Sequence, residues 1–234
     1  MTETPLRPLP RRTRTPLTRV STAQQVADSL REQLLDGEFA PGSRIPEDGV
    51  AADLGVSRNS VREGLQILVA EGLVQRSLHH GAVVTELDSE QMFDVYQARR
   101  IIEAASLRLG MAGADGWMVP VLESLREMEA AVAAGDLAGL LHADRRFHEG
   151  IVAGARSQRV ARFYRNLQAE IRLTRVWRGE REPSTVFFAR HKEVVTAIES
   201  GDLRKAEDLL VGIIDDGEAR IRSSLEAPPT DLTT

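Results

Sequence analysis

The chain has no cysteine among its 234 residues, which excludes disulfides, thiolate metal sites and cysteine nucleophiles, and fits a reducing compartment. It also has no apolar run near the ~20 residues of a membrane-spanning helix and no N-terminal hydrophobic signal, so the expectation is a cytoplasmic protein with no membrane partner. Aromatic residues are scarce at 4%, yet an apolar fraction of 42% still supports real cores. No H-E-x-x-H or comparable general-base motif is found. Excess positive charge is missing as well. The net charge is -5, and residues 1–86 hold 10 Arg and no Lys against 11 Asp plus Glu. Any affinity for nucleic acid must therefore rest on where the arginines stand.

Residues 55–73, GVSRNSVREGLQILVAEGL, are the first such place. Ser57 stands at an N-cap position, ahead of Val61, Leu65, Leu68 and Val69 at helical spacing. The opposite face carries Arg58, Asn59 and Arg62. Guanidinium forks match guanine or phosphate and an amide matches adenine, which suits a DNA groove. Taken alone, the same pattern also describes a solvated amphipathic helix.

The neighbouring segments favour the groove reading. Ser21 and Gln24 form a capping-box pattern before a helix through Val26, Leu30, Leu34 and Leu35, stopped by Gly37 and Pro41-Gly42. A second helix is predicted over 47–53, closed by Leu54-Gly55, with Gly49 in its middle predicting fraying. Two short strands, Leu73–Arg76 and Ala82–Thr85, flank a turn at His79-His80-Gly81. Three helices and a hairpin make a winged helix-turn-helix, assigned here to residues 20–86. Residues 1–19 form a basic, Pro- and Thr-rich arm expected to be flexible. Glu47, Asp48 and Asp53 on the second helix oppose DNA if they face it, so tight binding is expected to need a dimer.

From Asp88 onward no strand-like alternation occurs, and helices are predicted near 89–113, 117–134, 137–154, 157–179, 184–200 and 203–225. The breaks Gly135-Asp136 and Gly201-Asp202 each pair a helix-ending glycine with an N-cap aspartate. Residues 87–226 are thus an all-helical bundle, and 227–234 a tail. The fold class is mainly α. Trp117 and Trp177 are expected in packing or interface positions.

Several residue runs match the GntR-type bacterial transcription regulators: Leu35-Asp36-Gly37, Pro41-Gly42-Ser43-Arg44-Ile45, Leu54-Gly55-Val56-Ser57-Arg58, Val61-Arg62-Glu63, Glu71-Gly72-Leu73-Val74 and Gly81. The chain resembles that family in order over about 50 residues, a far more specific signal than any one motif. The resemblance implies that the third helix enters the major groove of operator DNA and the wing tip reaches the minor groove. Ser57, Arg58, Asn59 and Arg62 are then the helix contacts, Arg44 a phosphate contact, and His80 with Gly81 the wing contacts. Asn59-Ser60 departs from the family's usual Thr or Ser with Pro, and Gly49-Val50-Ala51 departs in the second helix.

The second half is similar to the FCD ligand-sensing domain of the FadR branch, through Val95-Tyr96-Gln97-Ala98-Arg99 with Glu103, Asp144-Arg145-Arg146-Phe147-His148, His191, Ala197-Ile198 and Gly201-Asp202. That resemblance implies a six-helix bundle, a homodimer, a small carboxylate effector and a divalent metal held by one Asp and three His. Asp144 and His148, four apart on one helix, share a face that suits zinc, nickel or manganese, although a lone pair at this spacing is more often a plain hydrogen bond. His191 matches the third ligand, whereas the fourth position is Ile213. Asp215 and Asp216 point to other faces, and His142 is off the Asp144–His148 face. For the effector, Arg99 is read either as an inward cation facing a carboxylate or as an ion pair with Glu103; Asn166 and Arg172 are further pocket candidates. The functional expectation is a ligand-responsive repressor binding a short inverted repeat. Two alternatives stay open, a metal-dependent helical enzyme acting on a small acid and a metal-free regulator whose bundle only dimerises.

Overall fold

In a computed structural model the described residues are 21–78, 80–113, 116–177 and 185–226, without the side chains of 185–187. The basic arm, His79 and the tail lie outside them. Ser21 starts helix α1 (Thr22–Leu35) by accepting from the Gln24 amide at 3.1 Å, while the Gln24 side chain turns to Asp28 instead of back to the cap. Half of the capping box is therefore formed. Helix α2 (Glu47–Asp53) is regular through Gly49, because Val50 and Ala51 are buried and tertiary packing outweighs the propensity cost. Helix α3 (Arg58–Ala70) is capped by Ser57, and it buries Val61, Leu65 and Leu68 against Val26, Leu30 and Leu34 of α1. Each such buried aliphatic side chain contributes roughly 2 kcal/mol.

Strands β1 (Val74–Ser77) and β2 (Gly81–Val84) pair antiparallel, with Val74 opposite Val84 and Ser77 opposite Gly81. Arg44 adds an isolated bridge to Val83 on the outer edge of β2. No alternation in the sequence marks that single rung, which ties the α1–α2 loop to the wing.

The second half consists of α4 (Ser89–Gly113), α5 (Val119–Ala134), α6 (Leu137–Ala153), α7 (Gln158–Trp177), α8 (Thr185–Glu199) and α9 (Leu203–Glu226). Gly135 and Gly201 adopt positive φ, and Asp136 and Asp202 cap the next helices by accepting from Gly139 and Lys205 amides at 2.9 and 3.0 Å. Tyr96, Leu107, Met128, Phe147, Ile171 and Leu210 form the bundle core, against which Trp117 packs.

Helix α7 belongs to both halves. Its inner face enters the bundle core through Leu167 and Ile171, while Leu173 is buried in the core of the first unit with Ala169 and Trp177 beside it. Trp177 Nε1 donates to Phe39 O at 2.8 Å and Asn166 Nδ2 to Ala70 O at 3.1 Å. Gly37 and Gly72 end α1 and α3 at φ of +84° and +80°, and a Cβ on either would meet α7, at Val176 and Glu170 respectively. Glycine is required there for the turn and for the close approach.

Glu170 thus has its carboxyl pressed toward Gly72, and burial first, then Asp94, raise its pKa to about 7. An acid raised in the folded state costs stability once the pH passes its ordinary value near 4.5, and the full cost is present above 7. Glu170→Gln should therefore raise the melting temperature at pH 8 and change it little at pH 4.5. An equal shift at both pH values would assign the effect to packing alone.

Candidate DNA interface and candidate metal centre

The start of α3, the α2 N-terminus and the base of the wing converge on one surface. Arg44, Arg58, Arg62 and Gly81 line a single hollow of about 420 Å³, with Glu47 and Asp48 on its rim. Arg58 Nε lies 2.8 Å from Asp48, Arg62 Nε 2.8 Å from Glu47, and Arg76 Nη1 3.0 Å from the same Glu47. The Arg62 hydrogen bond holds the Glu47 carboxyl below the usual range despite partial burial. In the sequence Glu47 and Asp48 are legible only as charges opposing DNA. Here they hold the arginines in place before any phosphate arrives.

Ser57 and Asn59 do not line the hollow. The Ser57 hydroxyl is occupied as the cap of Ser60 N and shares a hydrogen bond with Ser60 Oγ at 2.9 Å. Asn59 Nδ2 donates to Glu63 at 2.8 Å, one turn along the exposed face of α3. His80 is exposed at the wing turn beside Gly81, whose φ of +73° the turn demands.

In the bundle, α6 and α8 bring Asp144, His148 and His191 together, buried, with their ligand atoms all within 4.8 Å of one another. Asp144 Oδ1 lies 3.1 Å from His191 Nε2 and 3.5 Å from His148 Nε2. That buried oxygen nonetheless makes no hydrogen bond of good geometry. A carboxylate placed between two imidazole nitrogens in this way could hold a divalent cation, and despite its burial the two rings keep its carboxyl well below the usual range. Phe147 packs edge-on against both rings, at centroid distances of 5.6 and 4.8 Å. Ile213, where the resemblance implies a fourth ligand, is buried in the bundle core.

A second layer holds His148. Its Nδ1 meets Glu103 Oε2, and Glu103 also accepts from Arg99 Nε at 2.9 Å and from Tyr164 OH at 2.6 Å. Gln168 Nε2 in turn donates to Tyr164 OH at 2.5 Å. Burial pushes Glu103 up, but His148 and Arg99 outweigh it and hold the carboxyl at about 2. Burial also works against a charged His148, yet Glu103 and Asp144 raise it to about 9. The partner that orients a ligating histidine is a common second layer. The Glu103 role was legible only as an i to i+4 pair with Arg99; its contact with His148 spans 45 residues.

Of the effector candidates, Arg99 is buried beside the cluster, with its guanidinium 5.3 Å from the Tyr96 ring. The ion pair with Glu103 and the inward direction are thus both realised. Asn166 and Arg172 are placed otherwise: they lie on the outer face of α7, against Ala70 O, Leu35 O and Asp36. The helical period puts Tyr164 inward and turns Asn166 away from it, while Arg172, one turn past Gln168, reaches instead to the end of α1. Asp215 and Asp216 pair with Arg100 and Arg190, and His142 is exposed against Arg145.

Residues 22–84 match the bacterial regulatory proteins of the gntR family, and residues 94–216 match the FCD domain. An HTH-type transcriptional regulator of an unstable DNA locus in Streptomyces ambofaciens is 32% identical over 88% of this chain and 89% of its own. A D-xylose utilization operon transcriptional repressor of Paenarthrobacter nicotinovorans is 27% identical over 83% and 86%. The crystal structure of a GntR transcriptional regulator from Rhodococcus sp. RHA1 superposes with a TM-score of 0.76 at 31% identity, covering 87% of this chain and 99% of that one. The chain belongs to the GntR family of DNA-binding transcription regulators, in the group that carries an FCD domain. These relatives are regulators and not enzymes, which removes the enzyme alternative. Among the described residues no helix is long and apolar enough to cross a membrane.

Two outcomes follow from this geometry. Glu47→Gln releases Arg62 and Arg76, so affinity for random-sequence DNA should rise and the salt dependence should steepen by roughly one to two counterions, read by fluorescence anisotropy. An unchanged slope would mean that the ion pairs persist on DNA. For the bundle, a metal must displace the proton that His148 carries up to about pH 9. Zinc added to chelator-treated protein at pH 7 should release close to one proton, and affinity should climb about tenfold per unit toward pH 9. Calorimetry in buffers of different ionisation heat measures the release, and none at pH 7 would contradict the charge assigned to His148.

Proposed function

We propose that the protein is a homodimeric, ligand-responsive repressor. Its two winged helices read a short inverted repeat, and its bundle takes up a small carboxylate beside a divalent metal. The observation that carries this reading is the buried Asp144–His148–His191 group, whose carboxylate oxygen lacks a well-formed hydrogen bond. Zinc, nickel and manganese all suit two imidazoles and one carboxylate, and with Ile213 at the fourth position the remaining sites fall to water or to an effector oxygen. When bound, the ion acts as a Lewis acid toward that oxygen.

The charges favour an anion there. Arg99 and protonated His148 balance Glu103 and Asp144, so exchanging the His148 proton for a divalent ion leaves the group one positive charge in excess. A monocarboxylate restores neutrality in a site where an uncompensated charge is costly. Glu103 then orients His148, and Tyr164 with Gln168 relays the arrangement to α7, the helix on which the winged unit rests. Effector binding acts on DNA only if it favours one placement of the two winged helices over the other.

For DNA we assign Ser57, Arg58, Asn59 and Arg62 to the helix contacts in the major groove, Arg44 to a phosphate, and His80 with Gly81 to the wing contact. Near-neutral charge in the first unit makes a second copy necessary for useful affinity. Phe93, Ile101 and Leu109, exposed by 41, 71 and 58%, lie on one i to i+4 ridge of α4 and supply an apolar surface for that partner. The proposed setting is the cytoplasm.

The test is a gel shift on the chain's own upstream region, with and without chelator and a panel of small carboxylates. Arg58→Ala should cost about 1 to 3 kcal/mol on the operator and little on random DNA if it reads a base. Equal losses on both would make it a phosphate clamp. His148→Ala should leave operator binding intact and abolish the carboxylate response, and an unchanged response would overturn the metal-linked mechanism.

A further inference from the structure

A cleft of about 780 Å³ lies between the winged unit and the bundle, lined from α1, α3, α6 and α7. Its lining carries five arginines, Arg31 from α1 and Arg145, Arg162, Arg165 and Arg172 from α6 and α7, against the two carboxylates Glu71 and Glu149. The pairing is uneven. Arg31 is fully engaged, with Glu71 at 2.8 and 2.7 Å and Asp28 at 2.6 Å. Arg145 reaches Glu149 only at 3.7 Å, and Arg172 reaches Asp36 only at 3.5 Å. Burial, and then Arg145, disfavour the charge on Arg172. Among the described residues Arg162 and Arg165 have no carboxylate partner, although both line the cleft.

Cations gathered in a half-enclosed site with incomplete pairing are stabilised by an anion of matching charge, and guanidinium forks bind phosphate oxygens bidentately. Among the described residues no aromatic ring lines the cleft, which leaves nothing there for a base to stack on. Operator DNA is not the source of the phosphate. The cleft meets α3 at Ile67 and Ala70, the far end of the helix from Arg58, about 18 Å away at the helical rise.

We propose that this cleft is a second ligand site, for a small molecule carrying a phosphomonoester or diphosphate group, clamped between the winged helix and the bundle. The anion joins Arg162, Arg165 and Arg172 of the bundle to the α1 wall of the winged unit, and so fixes how the two halves meet. Gln168 lines the cleft and donates to Tyr164 of the inner network, so α7 borders both places. The site is independent of the carboxylate pocket, and its test can fail while that reading stands.

The experiment titrates sodium pyrophosphate into the full chain by calorimetry, with EDTA present so that no metal binds the anion, and at ionic strength held constant with sodium chloride. The expected result is a single saturable site. Arg162→Ala with Arg165→Ala, both exposed and outside either core, should weaken it at least tenfold, with the helical circular dichroism unchanged. Arg204→Ala with Lys205→Ala removes the same charge from α9 and should leave affinity as it was. Absence of saturable uptake, or equal weakening in both double variants, would overturn the proposal.

Discussion

A carboxylate withdrawn wholly from water must be neutralised where it stands, and Glu103 is such a group. Arg99 from its own helix, His148 from α6 and Tyr164 from α7 all converge on it. Three helices are thereby fixed relative to one another by one charge. The ring of His148 is turned so that its other nitrogen faces Asp144, which in turn faces His191 on α8. Removing Glu103 would strand Arg99 and His148 together, so the donor set and the bundle geometry stand or fall with it.

The same economy of contact governs the joint between the two halves. Helix α7 presents Tyr164 and Gln168 to this buried network and Leu173 and Trp177 to the first unit. Only its first half keeps a solvent-facing stripe, through Arg159, Arg162, Phe163 and Arg165; further along, the helix is packed between the two cores. Gly37 and Gly72 let the ends of α1 and α3 come within reach of it. A change in the network therefore has a rigid element through which to bias the winged helix, without any requirement for a long chain of side chains in between.

On the DNA side the organising fact is pairing of opposite charges on an exposed surface. Glu47 pairs with Arg62 and Arg76, and Asp48 with Arg58. Exposed pairs of this kind add little stability, so their effect lies in presentation and in competition with phosphate. That is how a near-neutral unit can still present an ordered cationic face.

The sequence determined the helices, their caps and their order. Ser57, Asp136 and Asp202 are local caps, and apolar residues at helical spacing lie within a few turns of one another, so short-range periodicity carries that information. It also made Asp144 and His148 legible as neighbours, since four residues along a helix is one turn. The tertiary structure alone decided the rest. Glu103 meets His148 across 45 residues, Glu47 meets Arg62 across 15, and Leu173 completes a core built from residues more than 80 positions earlier in the chain. The face of α7 that Asn166 and Arg172 occupy is read from its period, but which partner that face meets is not. Such contacts depend on how helices cross, which no local pattern encodes.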